Sequence, residues 1–421
     1  GNFETTMVTN MNYMFAGCLH LKSLNLIGFN TARLKSISGM FHTMLDIEVL
    51  DVSGININMV KDAWRVFGSE GGTKKLRTII VNKTWDKSHF ADDSAYPDQF
   101  VGCPNLVGGK GTTFKGSGSI YAHVDGGEDD PGYFTSASDR RVYAIPFNVH
   151  YDAYNRVDSC DLRLCYGVDA PGAHILKDGK WILGSDTIDV ATVTNVVIDP
   201  SMQTYHPTSL SNWFKDYSRM KTIEGLSNLR TDSVTNMAGM FKNCSSLVSL
   251  NFGWDINTRK VTKMGQMFSG CSSLEELDLS CFNTCKVENM AFMFTNCSNC
   301  KKLKLPNFDT RKVTNMNGMF KGCSSLDTLD LSRFDTQQVT EMASMFSGDS
   351  SLTTIQVSDN WRTDSLSNDD NMFKECVSLV GEKGTVYDKN HIDKSYAHID
   401  EGESLPGYFS YGKQVYVVRE G

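Results

Sequence analysis

Along residues 261–282, VTKMGQMFSGCSSLEELDLSCF, apolar side chains fall at Val261, Met264, Met267, Phe268 and Cys271, then at Leu274, Leu277 and Leu279. The first set follows i, i+3, i+6/i+7, i+10 spacing, which predicts one inward face of a short helix or helical turn. The second is an LxxLxL pattern whose last three residues alternate inward and outward, as a short strand does. Phe268 has counterparts at Phe241, Phe294, Phe320, Phe346 and Phe373, each 26 or 27 residues from the next. A fixed period of roughly 20 to 50 residues marks repeats that stack. The expectation is a leucine-rich-repeat-like solenoid, an α/β repeat with parallel strands on a concave face and short helices or turns on the convex one.

The ends of the helical segment are also marked. Thr262, with Thr9, Thr235, Thr314 and Thr340 at the same place in sister rungs, is positioned to cap an orphan amide at a helix start, although Lys35 and Glu288 interrupt the series. Before Cys18, Cys244, Cys271, Cys297 and Cys323 stand Gly17, Asn243, Gly270, Asn296 and Gly322, and Gly348 precedes Asp349 in the rung where aspartate replaces the cysteine; Glu375 before Cys376 departs from the pattern. Glycine and asparagine tolerate the left-handed conformation that ends a helix. No rung buries enough apolar surface to stand alone, so stability must come from neighbours and sealed ends.

The chain reads as two arrays joined by a small β-rich unit. Residues 1–135 hold a truncated first array with markers Phe15, Phe41 and Phe67, strands near Leu24–Leu26, Leu50–Val52 and Ile79–Val81, and a closing segment at 102–134. Residues 136–200 carry strand-like VYAI, DLRLCY and VTNVVI around a turn-rich PGAHILKDGKW, and read as a linking and N-capping unit. Residues 201–412 hold the second array, closed at 375–409 by a twin of the first cap. Residues 413–421 echo RRVYAI and read as the start of a further β unit. The caps share His123, Asp125, Pro131, Tyr133 and Phe134 with His398, Asp400, Pro406, Tyr408 and Phe409.

Charge and length narrow the function. A formal net charge of −8 spread over 421 residues lacks the basic face that nucleic acid or an anionic membrane would want. No run of about 20 apolar residues and no signal-like opening is present, so no membrane span is expected. Because the chain is inside a VTNMNYMF rung by residue 8, it reads as a fragment lacking its natural beginning.

Chemistry-bearing residues mostly fall on repeat positions. Of twelve cysteines, Cys18, Cys103, Cys244, Cys271, Cys297, Cys323 and Cys376 share one rung position. Stacking would hold their Cβ atoms about 4.8 Å apart, beyond the roughly 3.5 to 4.5 Å of a disulfide, so they read as small buried hydrophobes. Cys300 replaces a rung leucine and reads as core; Cys160, Cys165, Cys281 and Cys285 fit no repeat position. HxD in each cap invites a metal or acid–base role but has no third ligand at motif spacing, and PGYF reads as a turn followed by anchoring aromatics. No Ser/Cys–His–acid set, GxSxG, HExxH, P-loop or GxGxxG occurs in a supporting context. No enzymatic activity, cofactor or metal is expected.

The rungs VTNMAGMFKNCSSL and VTNMNGMFKGCSSLDTLDLSRFDT resemble the 26-residue repeat of the BspA-like leucine-rich surface proteins of bacteria, across most of residues 8–81 and 234–380. The resemblance implies export, display on the cell surface or secretion, adhesion to host extracellular proteins or other bacteria, and no catalytic residues. The outward strand positions of the second array would then form the binding surface: Thr222, Glu224, Ser249, Asn251, Glu276, Asp278, Lys302, Lys304, Thr328, Asp330, Thr354 and Gln356. They are small, polar and of mixed charge, with no aromatic ladder, which suits a protein partner held by many weak contacts. The chain is expected to act as a monomer. The alternative is a structural spacer that displays other modules.

Overall fold

In a computed structural model the described residues are 4–21, 23–26, 29–90, 98–110, 112–154, 156–167, 174–177, 180–183, 186–254 and 256–412; the tail at 413–421 lies outside them. The chain divides into two compact units, Gly1–Arg141 with Gly167–Ala170, and Val142–Tyr166 with Pro171–Gly421.

In the first unit β1 (Ser23–Asn25), β2 (Val49–Asp51), β3 (Thr78–Val81) and β4 (Phe134–Ser136) form one sheet in chain order, all parallel. Leu24, Leu50, Ile79 and Phe134 lie side by side in register. The last strand comes from PGYF, so the cap anchors its aromatics by adding a strand as well as a turn.

The second unit begins with β5 (Arg141–Tyr151), β6 (Val157–Gly167), β7 (His174–Lys177), β8 (Lys180–Leu183), β9 (Asp186–Thr187) and β10 (Val193–Ile198). The segment expected to be a turn-rich connection forms an antiparallel hairpin instead, with Ile175 opposite Ile182. Its short apolar runs in HILK and KWIL pair with each other, and that pairing outweighs the Pro-Gly and Asp-Gly signals. β10 pairs in parallel with β6 and with β11 (Thr222–Glu224), the strand of the first rung. Rung strands follow as β12 (Glu276–Asp278), β13 (Lys302–Lys304), β14 (Thr328–Asp330) and β15 (Thr354–Val357), and β16 (Phe409–Tyr411) from the second PGYF closes onto β15.

The expected helical segments are corrected by the structure: among the described residues there is no α-helix. The MF segments are chains of turns, because alternate amides leave the segment. Those of Met237, Gly239, Phe241 and Asn243 donate to the carbonyls of Lys263, Gly265, Met267 and Ser269 in the next rung, at 2.7–2.9 Å. The amides between them close four-residue turns, Met240 onto Met237, Lys242 onto Gly239 and Cys244 onto Phe241. Turns in succession place apolar residues three apart, as a helix does, and thus produce the same pattern.

Two left-handed residues per rung make this possible. One is the predicted Gly or Asn before the cysteine position, with φ between 58° and 86° at Asn243, Gly270, Asn296, Gly322 and Gly348. The other, four residues earlier, is Gly239 or Gly318 in two rungs but Gln266, Phe292, Ser344 or Asn371 in four. A left-handed phenylalanine is costly, and the rung-to-rung bonds hold it there.

The threonine caps are corrected too. The hydroxyls of Thr235, Thr262, Thr314 and Thr340 donate to the carbonyls of Thr208, Thr235, Glu288 and Thr314 in the rung before, at 3.2–3.3 Å.

Inside each unit the rung phenylalanines stack. From Phe214 through Phe241, Phe268, Phe294, Phe320 and Phe346 to Phe373, ring centroids are 5.3–5.9 Å apart and nearly parallel. Phe15, Phe41, Phe67 and Phe100 do the same in the first unit. A second buried series is polar. Thr258, Thr284 and Thr310 each donate to the carbonyl, and accept from the amide, of Asn283, Asp309 and Asp335 in turn. That is the role of the threonine in the FDT motif: it satisfies two backbone groups where water cannot reach.

Candidate functional site

The twelve outward strand residues do not lie on one sheet. Thr222 and Glu224 are exposed on β11, in the sheet that continues into β10. Ser249 and Asn251 are exposed but lie outside any strand, so the row is interrupted there. Glu276 and Asp278 on β12 face Lys302 and Lys304 on β13, and these four are exposed. Thr328 and Asp330 are exposed on β14, while Thr354 and Gln356 on β15 are half-buried.

The centre of this surface is a block of ion pairs. Lys302 Nζ reaches Glu276 Oε1 at 2.8 Å, Lys304 Nζ reaches Asp278 Oδ2 at 3.0 Å, and Lys301 approaches Glu275 at 3.5 Å. The Ser280 hydroxyl and amide, with Lys304, hold the Asp278 carboxyl down at about 2. Lys302 lowers that of Glu276. Opposite charges directly across the parallel pair set an acidic row on β12 beside a basic row on β13.

The other candidates are satisfied structurally. All twelve cysteines are free. The thiols of Cys244, Cys271, Cys297, Cys323 and Cys376 donate to the carbonyls of Phe214, Phe241, Phe268, Phe294 and Phe346, at 2.9–3.2 Å. Burial pushes these thiols up, Cys300 to about 11 and Cys103 to about 12. Such thiols are poor nucleophiles.

In each cap the aspartate of HxD is a buried hub. Asp400 Oδ2 accepts the amides of Lys383 (2.7 Å) and Thr385 (3.0 Å); Oδ1 accepts the Thr385 hydroxyl (2.7 Å) and the amides of Gly402 (2.9 Å) and Gly407 (3.4 Å). Asp125 does the same with Lys110, Thr112, Gly127 and Gly132. Burial alone would raise both carboxyls, but these donors together lower both, that of Asp400 far below the usual range. His123 Nε2 lies 3.1 Å from Asp130, whereas His398 lies against the carbonyls of Ile399 and Ser395. Among the described residues no group of three His, Cys, Asp or Glu could hold a metal ion.

A groove of about 740 Å³ runs along the turns that follow the rung strands, and the sequence pattern did not point to it. Trp254 lines it and is 94% exposed. Its lining also includes Arg259, Arg311 and Arg333 with Asn257, Asn283 and Asn360, and the exposed Pro306 and Asn307. The available signal was the 27-residue step from Phe241 to Phe268: NFGWDINT is one residue longer than DLSCFNT, and the surplus displaces the tryptophan.

A family model described as "Mycoplasma protein of unknown function, DUF285" matches residues 1–95, 208–304 and 298–404. No curated protein matches the chain. Among solved structures, a leucine-rich cell surface protein from Faecalibacterium prausnitzii is 16% identical with a TM-score of 0.30, over 55% of this chain and 57% of that one. A leucine-rich repeat protein from Eubacterium ventriosum is 13% identical with a TM-score of 0.25, over 77% and 64%. One from Bacteroides ovatus is 15% identical with a TM-score of 0.18, over 55% and 80%. The chain thus spans less than two thirds of the first two. Among the described residues no helix is long and apolar enough to cross a membrane.

Proposed function

The chain belongs to the family described as "Mycoplasma protein of unknown function, DUF285", and from that premise we propose a non-enzymatic, BspA-like adhesion module of the bacterial surface. It is a leucine-rich-repeat solenoid that acts as a monomer, and its strand face grips extracellular proteins of a host or of neighbouring bacteria. The observation that carries this reading is the ordered charge block of Glu276, Asp278, Lys302 and Lys304, held in register at exposed positions. Exposed pairs of this kind add little to stability, but they set which partner surface fits.

The test reverses all four charges together: Glu276→Lys, Asp278→Lys, Lys302→Glu and Lys304→Glu. The pairs are kept and the pattern is inverted. Capture of extracellular-matrix or bacterial-surface proteins should fall at least tenfold while the melting temperature is retained; unchanged capture would refute the face as the contact. Deletion of the array that impaired only the presentation of a distal module would favour the spacer reading. The unbroken rung-to-rung bonds of the second unit support that second reading.

A further inference from the structure

The groove at Trp254 has chemistry that the strand face lacks. Its tryptophan makes no ring contact among the described residues and meets solvent over nearly its whole surface. Gly253, just before it, is left-handed at φ +70°, and Ile256 packs against the core at the position that Phe282, Phe308 and Phe334 hold in later rungs. The indole is therefore released from the core, and an exposed aromatic of this size is a contact surface awaiting a flat partner.

The groove walls present hydrogen-bonding groups of both kinds. The Asn257 and Asn283 side-chain oxygens are used by the amides of Arg259 and Cys285, which leaves each NH₂ group to the groove. Asn307 spends its NH₂ on the Ser280 carbonyl and leaves its oxygen. Arg311 is paired with Asp309 through two bonds of 2.9 and 2.6 Å. Arg259 and Arg333 have no ion pair among the described residues, and exposed Lys260, Lys286 and Lys312 follow alongside, one per rung. Among the described lining residues the acids are Asp309, which is paired with Arg311, and Asp335, which accepts the Gln337 amide. In a chain of net charge −8, the described lining sets three arginines against two aspartates.

We propose that the groove binds an acidic carbohydrate chain, with Trp254 stacked on the C–H face of one sugar ring, the asparagines on its hydroxyls, and Arg259 and Arg333 on its carboxylate or sulfate groups. A peptide is disfavoured because Phe282 and Phe308 beneath the groove are shut from solvent, leaving no pocket for side chains. A nucleic-acid strand would want a succession of aromatic platforms and no carboxylates in the channel, and the groove has one indole and two aspartates. Hydroxyl groups pair with amides, guanidinium groups and carboxylates alike.

Calorimetric titration of the full chain with a hexagalacturonate and with a heparin hexasaccharide tests this and separates carboxylate from sulfate recognition. One saturable site is expected for at least one of them, weakening with added salt. Trp254→Ala should weaken binding at least tenfold, and Arg333→Ala or Arg259→Ala roughly threefold or more. The fourfold strand-face reversal should leave it unchanged, so this site and the protein-binding face fail separately. Trp254 is exposed, so the variant's melting curve should match the parent's. Binding of neither saccharide, or binding indifferent to Trp254→Ala, would overturn the proposal. So would tighter binding of a hexaglutamate peptide or an oligothymidylate.

Discussion

Asp400 in the second cap and Asp349 in the Phe346 rung are both shut away from water, yet the two sites treat the carboxyl in opposite ways. Asp400 accepts four backbone amides and a hydroxyl, and its carboxyl is held far below the usual range despite burial. Asp349 replaces a ladder cysteine. Burial drives its carboxyl well up, against the amides of Cys323 and Gly322, and its Oδ2 has no hydrogen-bond partner. Burial alone does not decide whether a carboxylate is stable; the number of donors aimed at it does.

The largest effect is expected where the donors converge. Asp400→Ala leaves buried amides without an acceptor, at about 1–3 kcal/mol each where water cannot enter, and should destabilise the second unit by about 3–5 kcal/mol. Asp125→Ala should do the same to the first. Chemical denaturation monitored by circular dichroism measures both; a loss below about 1 kcal/mol would mean that water or rearranged loops satisfy these amides.

Asp349→Cys should move stability the other way. It restores the thiol that elsewhere donates to the phenylalanine carbonyl and removes an unsatisfied buried oxygen, a gain of about 1–3 kcal/mol at neutral pH. The sign of the pH dependence follows from the raised folded-state value. The contribution of Asp349 is complete below the ordinary aspartate range, about 3.9, and is lost as pH rises through the folded-state value. The advantage of Asp349→Cys should therefore grow as pH is raised above about 4. The contribution of Asp400, with its depressed value, is complete above that range and disappears as pH falls below it. Melting temperatures of parent and variant from pH 3 to 7 should diverge; parallel curves would contradict the assignment.

These contrasts were unevenly legible in the sequence. The rung phenylalanines, the shared cysteine position and the left-handed Gly or Asn before it could be read because each fills a place that few residue types fit. The MF segment read as helical because successive turns repeat apolar contacts at the spacing of one helical turn; only the destination of the amides distinguishes them. The cap aspartates were hidden because HxD draws attention to the histidine, and their donors are main-chain amides with no sequence signature. Trp254 was hidden in an insertion of one residue. Of the twelve outward positions the spacing located the strand face well at β12 and β13, but not the loss of strand at Ser249 and Asn251.

The smallest effect separates the two residues of HxD. If the histidines had a function common to both caps, their surroundings would match as those of the aspartates do. Instead His123 Nε2 faces Asp130, and at the corresponding place in the other cap stands Leu405, so His398 turns to the carbonyls of Ser395 and Ile399. The backbone around them is the same: Phe134 and Phe409 donate their amides to the carbonyls of His123 and His398. What the two caps share at this position is thus main-chain bonding, which any residue supplies. His123→Ala and His398→Ala should each cost about 1 kcal/mol or less, with the larger loss at the more deeply buried His123. A loss at either histidine as large as that of Asp400→Ala would show that the imidazole ring, and not the backbone beneath it, organises the cap.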